Sequence, residues 1–114
     1  SKHRKEKQLL VTDGESKCKI STDEILYIEV VGHDMFFHTA QKVYTRHGIP
    51  LKNMADELAE YYFVKSGQSQ LVNLKYVDEV KKDTVSVNGT QIYLSRSRKK
   101  EFLEALADYV GMEI

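Results

Sequence analysis

The chain has 114 residues, enough for one domain with a modest core. Its 17 Lys and Arg residues balance its 17 Asp and Glu residues, so a polyanion partner would have to be met by uneven placement of charge rather than by an excess. Cys18 is the only cysteine, which excludes an internal disulfide and a cysteine-rich metal site and fits a reducing, cytoplasmic compartment; no apolar run reaches membrane-spanning length and no signal peptide is visible, so no membrane contact is expected from this segment.

The placement of charge is uneven. The N-terminal stretch carries Lys2, Arg4, Lys5 and Lys7 against Glu6 alone and is poor in apolar residues. Residues 1–6 therefore read as a linker or an expression remnant, and residues 7–114 as the domain. Asp13, Glu15, Asp23, Glu24, Glu29 and Asp34 make the next stretch acidic, with only Lys17 and Lys19 against them.

Taken in order, Lys7–Thr12 and Lys17–Ser21 read as short strands around an Asp13-Gly14-Glu15 turn. Glu24–Val31 is apolar on both faces, the mark of a central, buried strand. Gly32-His33-Asp34 is a turn, and Met35–Thr39 with Lys42–Arg46 forms a hairpin. Leu51–Tyr61 is a helix, with Leu51, Met54, Ala55, Leu58 and Tyr61 or Tyr62 on one face and Pro50 at its start. Strands return at Phe63–Lys65, Gln70–Leu74 and Val77–Lys81. Thr84–Leu94 is a hairpin on Asn88-Gly89, because both central positions of a tight two-residue turn need positive φ. That turn sets Val85 opposite Ile92 and Val87 opposite Thr90, and gathers Val85, Val87, Ile92 and Leu94 on one apolar face. The last element is a helix over Arg98–Val110, with Phe102, Leu103, Leu106, Tyr109 and Val110 as its buried stripe. Ser95 or Ser97 is placed to cap its start and Gly111 its end. The fold class is mainly β, in short antiparallel sheets, with two short helices; strand–helix alternation of the parallel kind is absent.

Little here suggests an enzyme. His33, His38 and His47 lack the spacing of a metal site, and no nucleophile motif or glycine-rich phosphate loop is present, so neither metal nor cofactor is expected. His38 shares a strand face with Phe36 and reads as a surface or satisfied sheet histidine. Asp23-Glu24 and Asp78-Glu79 read as solvated charge at strand edges.

The segment Leu94-Ser95-Arg96-Ser97-Arg98-Lys99-Lys100 is more informative. Its cations sit at the start of the last helix, where the helix dipole favours acids, while Glu101, Glu104, Asp108 and Glu113 trend toward the other end. Either this is a basic solvated face, or an anion such as phosphate sits there. The polar loop Lys65-Ser66-Gly67-Gln68-Ser69-Gln70 is likewise either an ordinary surface turn or a nucleic-acid contact.

The ordered set of signals resembles the LytTR DNA-binding domain, the output module of bacterial two-component response regulators. The matching residues are Ile25-Leu26-Tyr27-Ile28-Glu29 followed by Gly32-His33, Thr39, the Leu51–Leu58 helix, Phe63, Ser69 with Leu71-Val72-Asn73-Leu74 and Val77, Asn88-Gly89, Leu94-Ser95-Arg96, and Phe102 with Leu106. The resemblance covers Leu9 to Tyr109. It implies sequence-specific binding to paired direct repeats in promoter DNA, with loops rather than a recognition helix entering successive major grooves. It implies base contacts from His33 (or, with the alignment slipped by one, from Asp34), from Gln68 and from Arg96, and phosphate contacts from Lys65, Ser66, Ser69, Ser97, Lys99 and Lys100. It also implies an upstream receiver domain, a cognate histidine kinase and a homodimer on DNA. The chain departs from the family in its second loop, where members often carry Arg-x-His-Arg/Lys-Ser. Gln68 stands there instead, free to pair with adenine. That departure leaves an alternative: a protein-interaction module of the same fold with weak or lost DNA binding. Asn73 lies inside a strand and is expected to bond a neighbouring loop rather than read a base.

Overall fold

A computed structural model describes residues 6–111. The expectations placed on residues 1–5, including Lys2, Arg4 and Lys5, and on Glu113 lie outside the described residues. Ten strands are formed: β1 (Gln8–Asp13), β2 (Ser16–Ser21), β3 (Ile25–Val31), β4 (Asp34–Thr39), β5 (Val43–His47), β6 (Phe63–Lys65), β7 (Gln70–Asn73), β8 (Val77–Val80), β9 (Thr84–Val87) and β10 (Thr90–Tyr93). The two helices are α1 (Leu51–Leu58) and α2 (Lys99–Val110). Every strand pairing is antiparallel, in a seven-stranded sheet ordered β2-β1-β5-β4-β3-β7-β6 and a three-stranded sheet ordered β10-β9-β8.

The strand that is apolar on both faces, β3, lies inside the large sheet between β4 and β7. The Asn88-Gly89 turn has φ of 49° and 88°, and the register it sets is the expected one, with Val85 opposite Ile92 and Val87 opposite Thr90.

Alternation along β7 divides the molecule. Successive strand residues point to opposite faces, so Leu71 enters one core while Val72 enters another. The first core packs α1, through Leu51, Met54 and Leu58, on Ile25, Ile28, Met35 and Phe37 of the large sheet. The second packs α2, through Phe102, on Val85, Val87 and Ile92 of the small sheet and on Leu94 just after it.

Several boundaries differ from expectation. Helix α1 ends at Leu58; a 3-10 turn, Ala59–Tyr61, follows, and Tyr62 at φ 68° reverses the chain into β6. The strand expected from Glu24 starts at Ile25, because Ser21 and Glu24 form a reciprocal capping box around the 3-10 turn Thr22–Glu24. Val110 is 55% exposed rather than part of the α2 stripe, although Leu106 and Tyr109 beside it do pack against the second core. Neither Ser95 nor Ser97 caps a helix with its side chain: a 3-10 turn, Arg96–Arg98, precedes α2, and Arg98 occupies the cap position. Gly111 does close α2, with φ 76° and its N–H donating to the Ala107 and Asp108 carbonyls.

Candidate nucleic-acid interface

Antiparallel pairing gathers the loops of interest at one end of the large sheet. Val31 at the end of β3 pairs with Asp34, enclosing Gly32-His33, and Glu29 pairs with Gln70 at the start of β7. The ladder continues past Gln70, because the Val30 N–H donates to the Ser69 carbonyl at 2.9 Å. The His33 turn and the loop 66–69 therefore flank the same end of β3. The His33 carbonyl accepts from the Gly48 N–H at 3.1 Å, which fixes the turn against the end of β5. The His33 side chain itself is exposed.

The third segment is fastened to the second directly. The Ser95 N–H donates to the Ser66 carbonyl at 2.8 Å. Arg98 Nη2 donates to Gln68 Oε1 at 3.2 Å. Gly67 is buried against Tyr93; a Cβ on it would lie 3.3 Å from the Tyr93 ring, so the absence of a side chain eases the approach of the two segments. Gln68 and Arg96 are thus exposed on one surface formed by residues 66–69 and 93–98.

The proposed phosphate ligands fall into unlike positions. Ser97 and Lys100 are exposed, and Lys65, Ser69 and Lys99 are half-buried. The Lys99 ammonium donates to the Lys82 carbonyl at 3.0 Å, tying the start of α2 to the turn between β8 and β9. Ser66 is a correction. It is 0% exposed, and its hydroxyl has no partner, so no phosphate reaches it in this arrangement. Its contribution to the surface is its backbone carbonyl.

Electrostatically this end is unbalanced. Lys65 is held below the ordinary lysine range, first by burial and then by the charges of Arg98 and Lys52. Among the described residues, Lys65, Arg96, Arg98, Lys99 and Lys100 form no ion pair with a carboxylate. Arg98 and Tyr93, which is 57% exposed, were not singled out by sequence reasoning. The signal available for Arg98 was its place one 3-10 turn from Ser95, inside the same basic run.

Asn73 is structural, as expected. It is 3% exposed, donates from Nδ2 to the Ile25 carbonyl at 2.9 Å and accepts at Oδ1 from the Lys75 N–H at 3.0 Å. His38 is a satisfied sheet histidine, 2.9 Å from Glu29 and stacked on Tyr27 with ring centroids 4.2 Å apart.

These features define a β-dominated domain that presents loops, and cations without a carboxylate partner among the described residues, at one end of its larger sheet. The LytTr DNA-binding domain profile matches residues 15–107, and the chain belongs to the LytTR family, whose members are DNA-binding output domains of response regulators. Among solved structures, the chain is similar to a Bacillus cereus protein described as the LytTr DNA-binding domain of a methyl-accepting/DNA response regulator. The match has a TM-score of 0.78 at 17% identity and covers 87% of this chain and 95% of that one, a likeness of fold. No curated protein matches the sequence. No described helix is long and apolar enough to cross a membrane.

Proposed function

We propose that this domain binds promoter DNA sequence-specifically as the cytoplasmic output domain of a bacterial transcriptional response regulator. Its three loops enter successive major grooves of paired direct repeats. Arg96 donates to guanine, worth roughly 1–3 kcal/mol of discrimination against a wrong base. His33 and Gln68 read further positions, and Lys65, Ser69, Ser97, Lys99 and Lys100 hold phosphates. Support comes above all from the joining of residues 66–69 and 95–98 into one surface whose cations have no carboxylate partner among the described residues. Cations left unpaired by the fold are available to polyanions.

With a net charge of zero, a lone domain has little non-specific attraction to DNA. An upstream receiver domain, phosphorylated by a histidine kinase, would bring two domains together on two repeats and raise affinity through effective concentration.

Selection from a random DNA pool, followed by mobility shift on the selected site, tests the proposal. Arg96→Ala should weaken the selected site by about ten- to a hundredfold, the range of one bidentate base contact, and leave non-specific binding nearly intact. Lys100→Ala should weaken all sequences alike and lower the salt slope by about one unit. Equal loss on both kinds of DNA in Arg96→Ala removes its base-reading role. No shift at low salt, together with capture of a specific protein partner, favours the interaction-module alternative.

A further inference from the structure

Gln68 is anchored from outside its own loop. Its Oε1 accepts from Arg98 Nη2 at 3.2 Å, across 30 positions of sequence. A guanidinium has only donors, so the end of the Gln68 amide that meets Arg98 must be the oxygen. The two amide hydrogens are then on the end turned away from Arg98. The backbone that carries Arg98 is itself tied to the loop. The Arg98 N–H donates to the Ser95 carbonyl at 3.1 Å, and the Ser95 N–H donates to the Ser66 carbonyl at 2.8 Å. No carboxylate among the described residues forms an ion pair with Arg98 and draws it elsewhere.

We propose that Arg98 is a positioning residue that fixes which end of the Gln68 amide meets the base, and so turns Gln68 from an adenine reader into a guanine reader. The proposal rests on the assignment of Gln68 as a base-reading residue and specifies what it reads. A free glutamine pairs with adenine through both ends, donating to N7 and accepting from the N6 amino group. Here the accepting end is engaged by a cation, which also disfavours the amino hydrogens of adenine beside it. Guanine presents N7 and O6, both acceptors, to the amide hydrogens. The adenine preference expected from the sequence is therefore replaced by a guanine preference.

The test uses the folded domain and a pool of random duplexes. Sites are selected with the parent protein and with Gln68→Ala; the position where Gln68→Ala loses preference is the one that Gln68 reads. Binding is then measured on duplexes carrying guanine, adenine or 7-deazaguanine at that position. The parent should favour guanine over adenine by about tenfold, as expected for one well-placed base contact, and should lose affinity for 7-deazaguanine. Arg98→Ala should move the preference to adenine or erase it. Arg98→Met, which keeps the aliphatic stem but has no donors, should do the same with less disturbance of packing. A parent preference for adenine overturns the proposal. So does an unchanged guanine preference in both Arg98 variants with uniformly weaker binding, which would make Arg98 a phosphate contact. If Gln68→Ala changes preference at no position, the assignment of Gln68 as a reader fails, and the orientation proposal fails with it.

Discussion

The two ends of the large sheet are built on opposite electrostatic plans. At the end away from the His33 turn and the Gln68 loop, polar groups are paired within the domain. Ser21 and Glu24 cap the same 3-10 turn, Asn73 bonds the Ile25 carbonyl and the Lys75 N–H, and Lys75 pairs with Asp23. At the loop end, Lys65 and Arg98 crowd one another, the hydroxyl of Ser66 is buried without a partner, and α2 starts without a side-chain cap. One end is closed for stability. At the other, Asp34 bonds His47, Arg98 bonds Gln68 and Lys99 bonds the Lys82 carbonyl, but Lys65, Arg96, Arg98, Lys99 and Lys100 meet no carboxylate among the described residues, which is what a surface for an external polyanion needs. Under the proposed function, stability and recognition fall to different residues, and substitutions at the two ends should separate them.

The largest effect is expected at the closed end. Asn73→Ala leaves a buried carbonyl and a part-buried N–H unpaired and should lower unfolding free energy by about 2–3 kcal/mol in denaturant titration. DNA affinity per folded molecule should stay unchanged; an equal drop in affinity would erase the division between the ends.

Lys65→Gln should act in the opposite sense. Lys65 has its pKa lowered in the folded state, so below that pKa both folded and unfolded chains carry the charge and the folding penalty is fully present. As pH rises through the folded pKa toward the ordinary lysine value, the unfolded chain holds more protons and the penalty is relieved. Lys65→Gln should therefore unfold at a higher temperature than the parent at neutral pH, and the gap should narrow as the solution becomes alkaline. The same variant should bind DNA several-fold more weakly and lower the salt slope by about one unit. A lower unfolding temperature at neutral pH would show that Lys65 is satisfied in the free domain.

The smallest effect is expected at Ser66. Ser66→Ala removes a buried hydroxyl that bonds nothing and should change stability by no more than about 1 kcal/mol, toward greater stability. DNA binding should be unaltered, and a clear loss of affinity would mean that the hydroxyl becomes exposed on the complex.

What was legible in the sequence was what short-range rules determine. Asn88-Gly89 named its turn, and a two-residue turn fixes the register of everything beside it, so Val85, Val87, Ile92 and Leu94 were placed correctly on one face. The apolar run in β3 announced a strand with neighbours on both sides, and Asn73 inside an apolar strand announced a structural amide. Ser21 and Glu24 stand at a capping-box spacing, and the box forms. The remainder depends on tertiary approach. Serine fits both a surface loop and a closely packed turn, so nothing local distinguished Ser66, which is buried, from Ser97, which is not. The Arg98–Gln68 bond needs two loops from different sheets to meet. Val110 obeys the helical stripe, yet only its neighbours Leu106 and Tyr109 reach the second core.

Strand β7 has a core on each side, Leu71 facing one and Val72 the other. Neither half of the domain keeps an intact interior once this strand is withdrawn, so the two halves should melt together as one cooperative unit. The loop that carries Gln68 leads straight into this strand. The position of the exposed Gln68 is therefore set by the element that both halves of the domain share, so a shift of this strand in either core would displace the loop as well.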